Sequence, residues 1–203
     1  TNAWHRCARE RLSIQAAIAL VLVALSLFSS HANAGLFSSQ EEDAEELEQH
    51  KTALQLEIDG IRRLQRVIFP LLQAATTLCG SDAAWSYGFG LASRDRFKSD
   101  LRTAAPVLGY DRHASVLYVA EGSPAWTAGL RQGDVVTAID GEKVNEGSDA
   151  FEDAERHVTR QAKKGTATIL EVRRNDERLA FTVEPVKVCD YKLELIRNSS
   201  ANA

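Results

Sequence analysis

Closely spaced turn residues between residues 116 and 144 constrain the fold of this chain more than any other feature. Residues 116–119 are typical of a short strand, which ends at Glu121-Gly122. Ser123 is suited to cap a helix that begins at Pro124, where the missing N–H costs nothing. That helix must be short, because Gly129 follows at a position that favours a left-handed backbone.

The second half of this motif predicts another strand between two turns. Gly133-Asp134 turns the chain into residues 135–139, and Asp140-Gly141 is a strong tight-turn signal. The motif resembles the central signature of a PDZ domain, of the permuted kind found in bacterial proteases. The resemblance implies an α+β fold, a small, partly open β-barrel or sandwich with two helices, here preceded by a long N-terminal helix. It is carried by Gly122-Ser123-Pro124-Ala125, Ala128-Gly129-Leu130, Gly133-Asp134, Ile139 and Asp140-Gly141.

The signature residues build turns and core, so a ligand site must be sought elsewhere. In the family that the motif resembles, a peptide adds as an extra strand between one strand and one long helix, and a glycine-containing loop binds its C-terminal carboxylate. The matching segment is Tyr87-Gly88-Phe89-Gly90-Leu91, followed by Ala92. Glycines let backbone amides approach an anion, and Phe89 and Leu91 are expected to line a pocket for the last side chain. The alternative is a plain hairpin bend.

The long partner helix is expected between Asp149 and Ala162. Asp149 and Glu152 are spaced for a capping box, and Gly165 follows the basic end of the helix. Helical spacing places Phe151, Ala154 and Val158 on one stripe, which is expected to be mostly core, with His157 beside it. The boundary between the stripe and its neighbouring row is expected to face the groove. The candidate peptide-contacting residues on this helix are Phe151, Ala154, His157 and Val158. For His157 the alternative is an ordinary solvated histidine.

The N-terminal 34 residues have the three-part layout of a secretory signal peptide. Arginines precede a short apolar run at residues 14–28, and Ala32-Asn33-Ala34 is a small-x-small cleavage site. The run is short for a bilayer span, which needs about 20 residues. We therefore expect a secreted or periplasmic protein, with an uncleaved anchor facing the periplasm as the alternative.

Export changes how the three cysteines are interpreted. Cys7 would leave with the signal, and Cys79 and Cys189 would enter an oxidising compartment, where a pair usually forms a disulfide. The alternative is two separate buried thiols.

A helical arm is expected between the signal and the PDZ-like region. Apolar residues recur every seven positions, as at Leu54, Ile61 and Ile68. This stripe could be the seam of a homo-oligomer, or its second half could simply pack on the neighbouring domain. The expected organisation is a signal at 1–34, an arm at 35–80, a PDZ domain at 81–189 and a tail at 190–203.

Several function classes lack sequence support. The net charge is −4 and no block of Lys or Arg occurs, so nucleic acid is not an expected partner. The five histidines never form H-E-x-x-H, and neither a G-x-S-x-G elbow nor a phosphate-binding loop is present. We predict no catalytic residues, no metal site and no cofactor.

The order of parts suggests a wider relationship. A signal, a helix, a PDZ-like core and a short tail resemble the N-terminal half of secreted zinc metallopeptidases of the CAAX-prenyl-protease superfamily, whose zinc helix would follow Ala203. The sequence thus predicts an exported, non-catalytic module that binds peptide C-termini or extended segments. The alternatives are the regulatory part of such a peptidase, or an assembly scaffold whose groove is closed by its own arm.

Overall fold

The computed structural model describes residues 40–191. The chain divides into two compact units, Thr1–Leu47 and Glu48–Ala203, and the sheet belongs to the second. This second unit has the predicted α+β structure, with a PDZ-like antiparallel sheet that stays open and does not close into a barrel. The predicted signal peptide, and the predicted tail beyond residue 191, lie outside the described residues.

Three α-helices and eight strands follow one another along the described part of the chain. In order they are α1 (40–74), β1 (Ala83–Ser86), β2 (Phe89–Ala92), β3 (Ser115–Val119), α2 (Pro124–Ala128), β4 (Val135–Ile139), β5 (Glu142–Lys143), α3 (Ala150–Lys164), β6 (Thr168–Arg174), β7 (Glu177–Val183) and β8 (Val186–Cys189). The main sheet has the order β2-β3-β4-β6-β7, with β5 paired to β4, and β1 pairs separately with β8. Strand β2 is therefore at an edge of the main sheet.

Helix α1 contributes to the core through one face. Leu54 and Ile58 are fully buried, and Phe69 packs with Ala120 of the β3 end and Val188 of β8. The second half of the stripe thus packs on the neighbouring domain, which was the simpler interpretation. Other apolar side chains of this stretch remain exposed, namely Leu56, Val67, Leu71 and Leu78. An oligomer seam stays a prediction.

The glycine-punctuated motif forms the predicted turns and helix. Ser123 caps α2, its hydroxyl oxygen accepting a bond from the Trp126 N–H at 3.2 Å, and Pro124 is the first helical residue. Gly129 ends the helix with a φ of 94°. Asp140-Gly141 has two positive φ values, 52° and 78°, which suit the tight turn between β4 and β5.

A buried ion pair inside this motif was not predicted. Asp134, 1% exposed, accepts from Arg174 Nε at 2.6 Å and Nη2 at 2.7 Å. It also accepts from the Arg131 N–H at 2.8 Å, while Arg174 donates to the Gly129 carbonyl at 2.9 Å. Asp134 thus connects the segment that follows α2 to strand β6 through hydrogen bonds.

One local expectation was wrong. The Asp149 side chain does not form the expected capping box, and its carboxylate instead accepts from the Ser148 hydroxyl at 3.0 Å. The hairpin of β6 and β7 turns at Asn175-Asp176, with φ values of 48° and 67°.

The structure contains the predicted disulfide between Cys79 and Cys189. Cys189 ends β8 and pairs in register with Ala83, the first residue of β1. The bridge therefore fixes the end of the β1–β8 ribbon to the segment that follows α1.

Candidate functional site

An open groove of about 440 Å³ lies between α3 on one side and strands β1 and β2 on the other. Its lining residues are Ala83, Ala84, Trp85, Ser86, Tyr87, Phe89, Gly90, Leu91, Glu155, Val158, Thr159, Ala162, Lys163 and Asp190. No described residue of α1 lines it. The groove is where the sequence predicted a peptide site.

Strand β2 offers unpaired backbone groups to this groove. The Ala120 N–H donates to the Gly88 carbonyl at 2.7 Å, which directs Gly88 toward β3. Backbone groups of an antiparallel strand alternate in direction, so the N–H and C=O of Phe89 point the other way. That side of β2 faces α3, and an extended peptide there can add one strand to the sheet.

The loop at Tyr87-Gly88 is built by close packing. Gly88 has a φ of 80°, and a Cβ at that position would overlap the Ser123 side chain. Its N–H donates to the Ser86 hydroxyl at 3.2 Å, and Ser123 Oγ donates to its carbonyl at 3.2 Å. The Tyr87 carbonyl accepts from the Ala125 N–H at 3.0 Å. The polar groups of Gly88 are thus largely engaged, and Phe89 carries the loop amide that faces the groove.

Two contacts fix the direction of β2 relative to α3. The Tyr87 hydroxyl donates to the Thr166 carbonyl at 2.7 Å, just beyond the C-terminal end of the helix. The Trp85 ring packs closely against Gly165, so that a side chain at residue 165 would overlap the ring. The loop before β2 therefore lies beside the end of α3, and burial of Tyr87 together with the charge of Asp140 raises its pKa to about 12.

Further along β2, an aromatic ring covers Gly90. A Cβ at Gly90 would overlap the ring of Tyr118 on β3, so only glycine leaves room for that ring. Burial raises the pKa of Tyr118, with Arg96 opposing the rise and Glu155 adding to it. Gly90 lines the groove together with Glu155, which lies in the first half of α3.

The predicted site residues divide into two groups. Five line the groove, namely Tyr87, Phe89, Gly90, Leu91 and Val158. The other five do not, namely Gly88, Ala92, Phe151, Ala154 and His157. Ala92 and Ala154 are core residues at 0% and 1% exposure, and Phe151 packs under the Arg96 guanidinium at 5.3 Å.

His157 is neither a solvated histidine nor a groove residue. It is 8% exposed and lies on the opposite side of α3, with Nε2 3.3 Å from Asp140 Oδ2 and Nδ1 3.2 Å from Glu142 Oε2. Asp140 also accepts from the Ile169 N–H at 2.7 Å and from the Thr168 hydroxyl at 3.2 Å. This cluster connects α3 to the β4–β5 turn and to β6.

The same cluster perturbs Asp140. Its partial burial alone would raise the pKa of the carboxyl. Hydrogen bonds from Ile169, Thr168, His157 and Gln161 outweigh that effect, and the pKa is lowered. Asp140 therefore stays ionised and keeps its accepting oxygens across the ordinary pH range.

Sequence reasoning missed most of the polar rim of the groove and its second wall. The rim includes Glu155, Thr159 and Lys163, which follow one another at intervals of four on α3. Glu155 and Thr159 lie three residues before Val158 and Ala162, and Lys163 lies four after Thr159, so helical spacing is a signal that could have found them. The β1 wall carries no such signal, because it depends on pairing with β8. Trp85 stands there beneath the Lys187 ammonium at 5.4 Å.

Within residues 40–191, no group of three or more His, Cys, Asp or Glu side chains could hold a metal ion. No helix in this part of the chain has the length and apolar character needed to cross a bilayer.

Comparison with known proteins gives a match to one protein family. Residues 89–184 match the family described as PDZ domain. A putative serine protease, HhoA of Synechocystis sp., is 34% identical over 73 residues, which are 36% of this chain and 17% of that protein. The chain therefore spans well under two thirds of that relative. The relative is named as a serine protease, and the expected relationship to zinc metallopeptidases is not confirmed.

Two solved structures are also similar. The HtrA3 PDZ domain bound to a phage-derived ligand (FGRWV) is 20% identical, covers 52% of this chain and 88% of that chain, and has a TM-score of 0.38. The HtrA-type protease AlgW with a decapeptide is 23% identical, covers 52% of this chain and 30% of that chain, and has a TM-score of 0.37.

Proposed function

We propose that this chain, whose residues 89–184 form a PDZ domain, is an exported module that binds the C-termini or extended segments of other proteins by strand addition. The observation that carries the proposal is the open edge of β2 facing α3 across an apolar groove. Tyr87, Phe89, Leu91 and Val158 line that groove, and the Phe89 amide is directed into it.

The expected affinity is moderate. Each backbone hydrogen bond contributes about 0.5 to 1.5 kcal/mol net, and burial of one apolar side chain contributes about 1.5 to 3 kcal/mol. A ladder of a few such bonds with one buried side chain corresponds to a Kd near the micromolar range, about −8 kcal/mol. The module would therefore bind reversibly.

Titration of labelled peptides tests the proposal. A seven-residue peptide ending in valine with a free carboxylate should bind. Its C-terminal amide should bind at least about tenfold more weakly, because the amide lacks the negatively charged oxygens to which the loop N–H donates. Equal affinity of acid and amide would argue against carboxylate capture.

A matched pair of variants locates the site. Val158→Ser removes apolar surface from the groove and should weaken peptide binding about tenfold. Val107→Ser makes the same chemical change at an exposed valine in the turn Pro106–Leu108, which does not line the groove, and should leave affinity unchanged. Equal effects of the two variants would place binding elsewhere.

A second candidate is a recognition domain within a longer protease. The match to part of a putative serine protease favours it. Reading the gene beyond Ala203 and before Thr1 distinguishes a separate peptide-binding module from a domain of a longer protease. A serine protease domain found there would favour the second candidate, and would show that the expected zinc peptidase was the wrong class of protease.

Export is proposed from the signal-like sequence of residues 1–34. A cell-fractionation experiment with a tagged full-length chain tests it.

A further inference from the structure

We propose that the groove selects peptides that carry a basic residue two or four positions before an apolar C-terminal residue, with Glu155 as the recognising carboxylate. This inference rests on the proposed peptide-binding function and adds a ligand class to it.

The ends of the groove can be told apart. Tyr87 bonds to Thr166 beyond the C-terminal end of α3, whereas Arg96, just after the end of β2, stacks over Phe151 in the first turn of α3. Strand β2 therefore runs antiparallel to α3. A peptide that pairs antiparallel with β2 and ends at the loop has its carboxylate near the C-terminal part of α3. Its earlier residues then lie toward Glu155.

Opposite charges lie along this direction. Lys163 lines the groove near the loop end of α3, and Glu155 lines it eight residues earlier on the same helix. Within residues 40–191, neither side chain forms a hydrogen bond or an ion pair, so both charges are available to a ligand. A C-terminal carboxylate complements Lys163, and a basic side chain complements Glu155.

Other charges lie near Glu155 and Lys163, and of these only Asp190 lines the groove. Glu152, Arg156 and Arg160 line a neighbouring hollow on the outer face of α3, where Arg156 pairs with Asp153. Arg96 stacks over Phe151 and does not line the groove. Asp190 lines the groove from the β8 side, next to Ala83, the residue of β1 furthest from the loop.

Helix and strand dimensions give the position of the basic residue. Eight helical residues rise about 12 Å. An extended peptide covers that length in three to four residues, at about 3.3 Å each. Side chains of a strand alternate between two faces, so only the second and fourth residues before the last share the face of the last side chain. Lysine and arginine are long enough to reach Glu155 from either position.

The test is a lysine scan in a host peptide of serine and alanine that ends in valine with a free carboxylate. One lysine is placed in turn one, two, three or four positions before the valine, and affinities are measured by fluorescence anisotropy in low salt. We expect about threefold tighter binding with lysine at the second or fourth position, and about threefold weaker binding with glutamate there. Raising the salt to 0.5 M should shrink both differences.

Charge reversal identifies the partner on the protein. Glu155→Lys should invert the preference, so that the glutamate peptide binds more tightly than the lysine peptide. Glu152→Lys, at another exposed acidic position of α3 that does not line this groove, should keep the original order. Lys163→Gln should narrow the gap between the free acid and the amide. Circular dichroism confirms that each variant is folded.

The outcomes separate the two proposals. Equal binding of the lysine and glutamate peptides, with acid still preferred over amide, overturns the charge selection and leaves the proposed function intact. A benefit confined to the first or third position, or an unchanged order in Glu155→Lys, also overturns it. Failure of every free-acid peptide to bind overturns the proposed function as well.

Discussion

The two sides of α3 differ in how they meet the rest of the domain. On one side, Val158 and Ala162 face an open groove. On the other side, Ala154 is fully buried and His157 lies between the carboxylates of Asp140 and Glu142. A helix that forms one wall of a binding site needs support that does not come from the ligand, and the polar cluster on its far side supplies that support.

The opposite wall of the groove is supported covalently. Among the described strands, β1 pairs with β8 alone, and the Cys79–Cys189 disulfide closes that ribbon. The α3 wall thus depends on hydrogen bonds and the β1 wall on a disulfide. The losses of stability that follow from removing each support can be compared directly.

The largest effect is expected from removing the disulfide. In the chain-entropy model, a bridge that spans 110 residues stabilises the fold by about 4 to 5 kcal/mol. Replacing both cysteines by serine should lower the free energy of unfolding in urea by that amount and loosen the β1 wall. Wild-type protein treated with dithiothreitol is the control and should match the variant. A loss below about 1 kcal/mol would show that the bridge is not the main support.

The next effect is expected at the groove loop. Gly88→Ala combines a positive φ with overlap of the new methyl group and Ser123, and should cost about 3 kcal/mol of stability. Gly122→Ala has a similar φ of 75° and open space around the site, so only about 1 kcal/mol is expected. Urea denaturation compares the two, and equal losses would mean that the close packing of the loop contributes nothing.

A smaller effect is expected on the far side of α3. Asp140→Ala removes the acceptor for the Ile169 N–H, the Thr168 hydroxyl and His157, and should cost about 2 kcal/mol. Asp140→Asn retains an acceptor oxygen and tolerates the positive φ, so it should cost less. Hydrogen exchange should show faster opening of α3 in the alanine variant. Unchanged exchange would contradict the supporting role of the cluster.

The smallest differences are expected in how the free energy of unfolding depends on pH. Asp140, on the far side of α3, should reduce stability at acid pH, and Tyr87, on the groove side, should reduce it at alkaline pH. Asp140 has a lowered pKa, so its contribution to stability is present above pH 3.8 and declines as the pH falls below that value. Tyr87 has a pKa raised from 10 to about 12, so its contribution is present below pH 10 and declines between pH 10 and 12. Unfolding curves across pH should lose the acid decline in Asp140→Asn and the alkaline decline in Tyr87→Phe. Retention of either decline would assign it to another group.

Local chemistry in the sequence predicted the turns and the short helix. The cap at Ser123, the end of α2 at Gly129 and the turn at Asp140-Gly141 each depend on a few adjacent residues. Four groove residues were predicted for the same reason, because they lie in one contiguous segment, namely Tyr87, Phe89, Gly90 and Leu91.

Features that depend on distant parts of the chain were not predicted. His157 was misplaced because its partners come from the β4–β5 turn, and nothing next to it in the sequence indicates a polar contact. The β1 wall, with Trp85, was missed because it requires pairing with β8 about one hundred residues later. The Asp134–Arg174 pair likewise joins two elements separated by α3.

The position of the disulfide has a mechanical consequence. The Cα atoms of Cys79 and Cys189 are 5.7 Å apart, at the two ends of the segment that contains the whole sheet. Whatever the chain is attached to on either side, a pulling force between those attachments passes through the sulfur bridge and bypasses the strands and α3. The groove would keep its shape under tension that would unravel an unbridged domain.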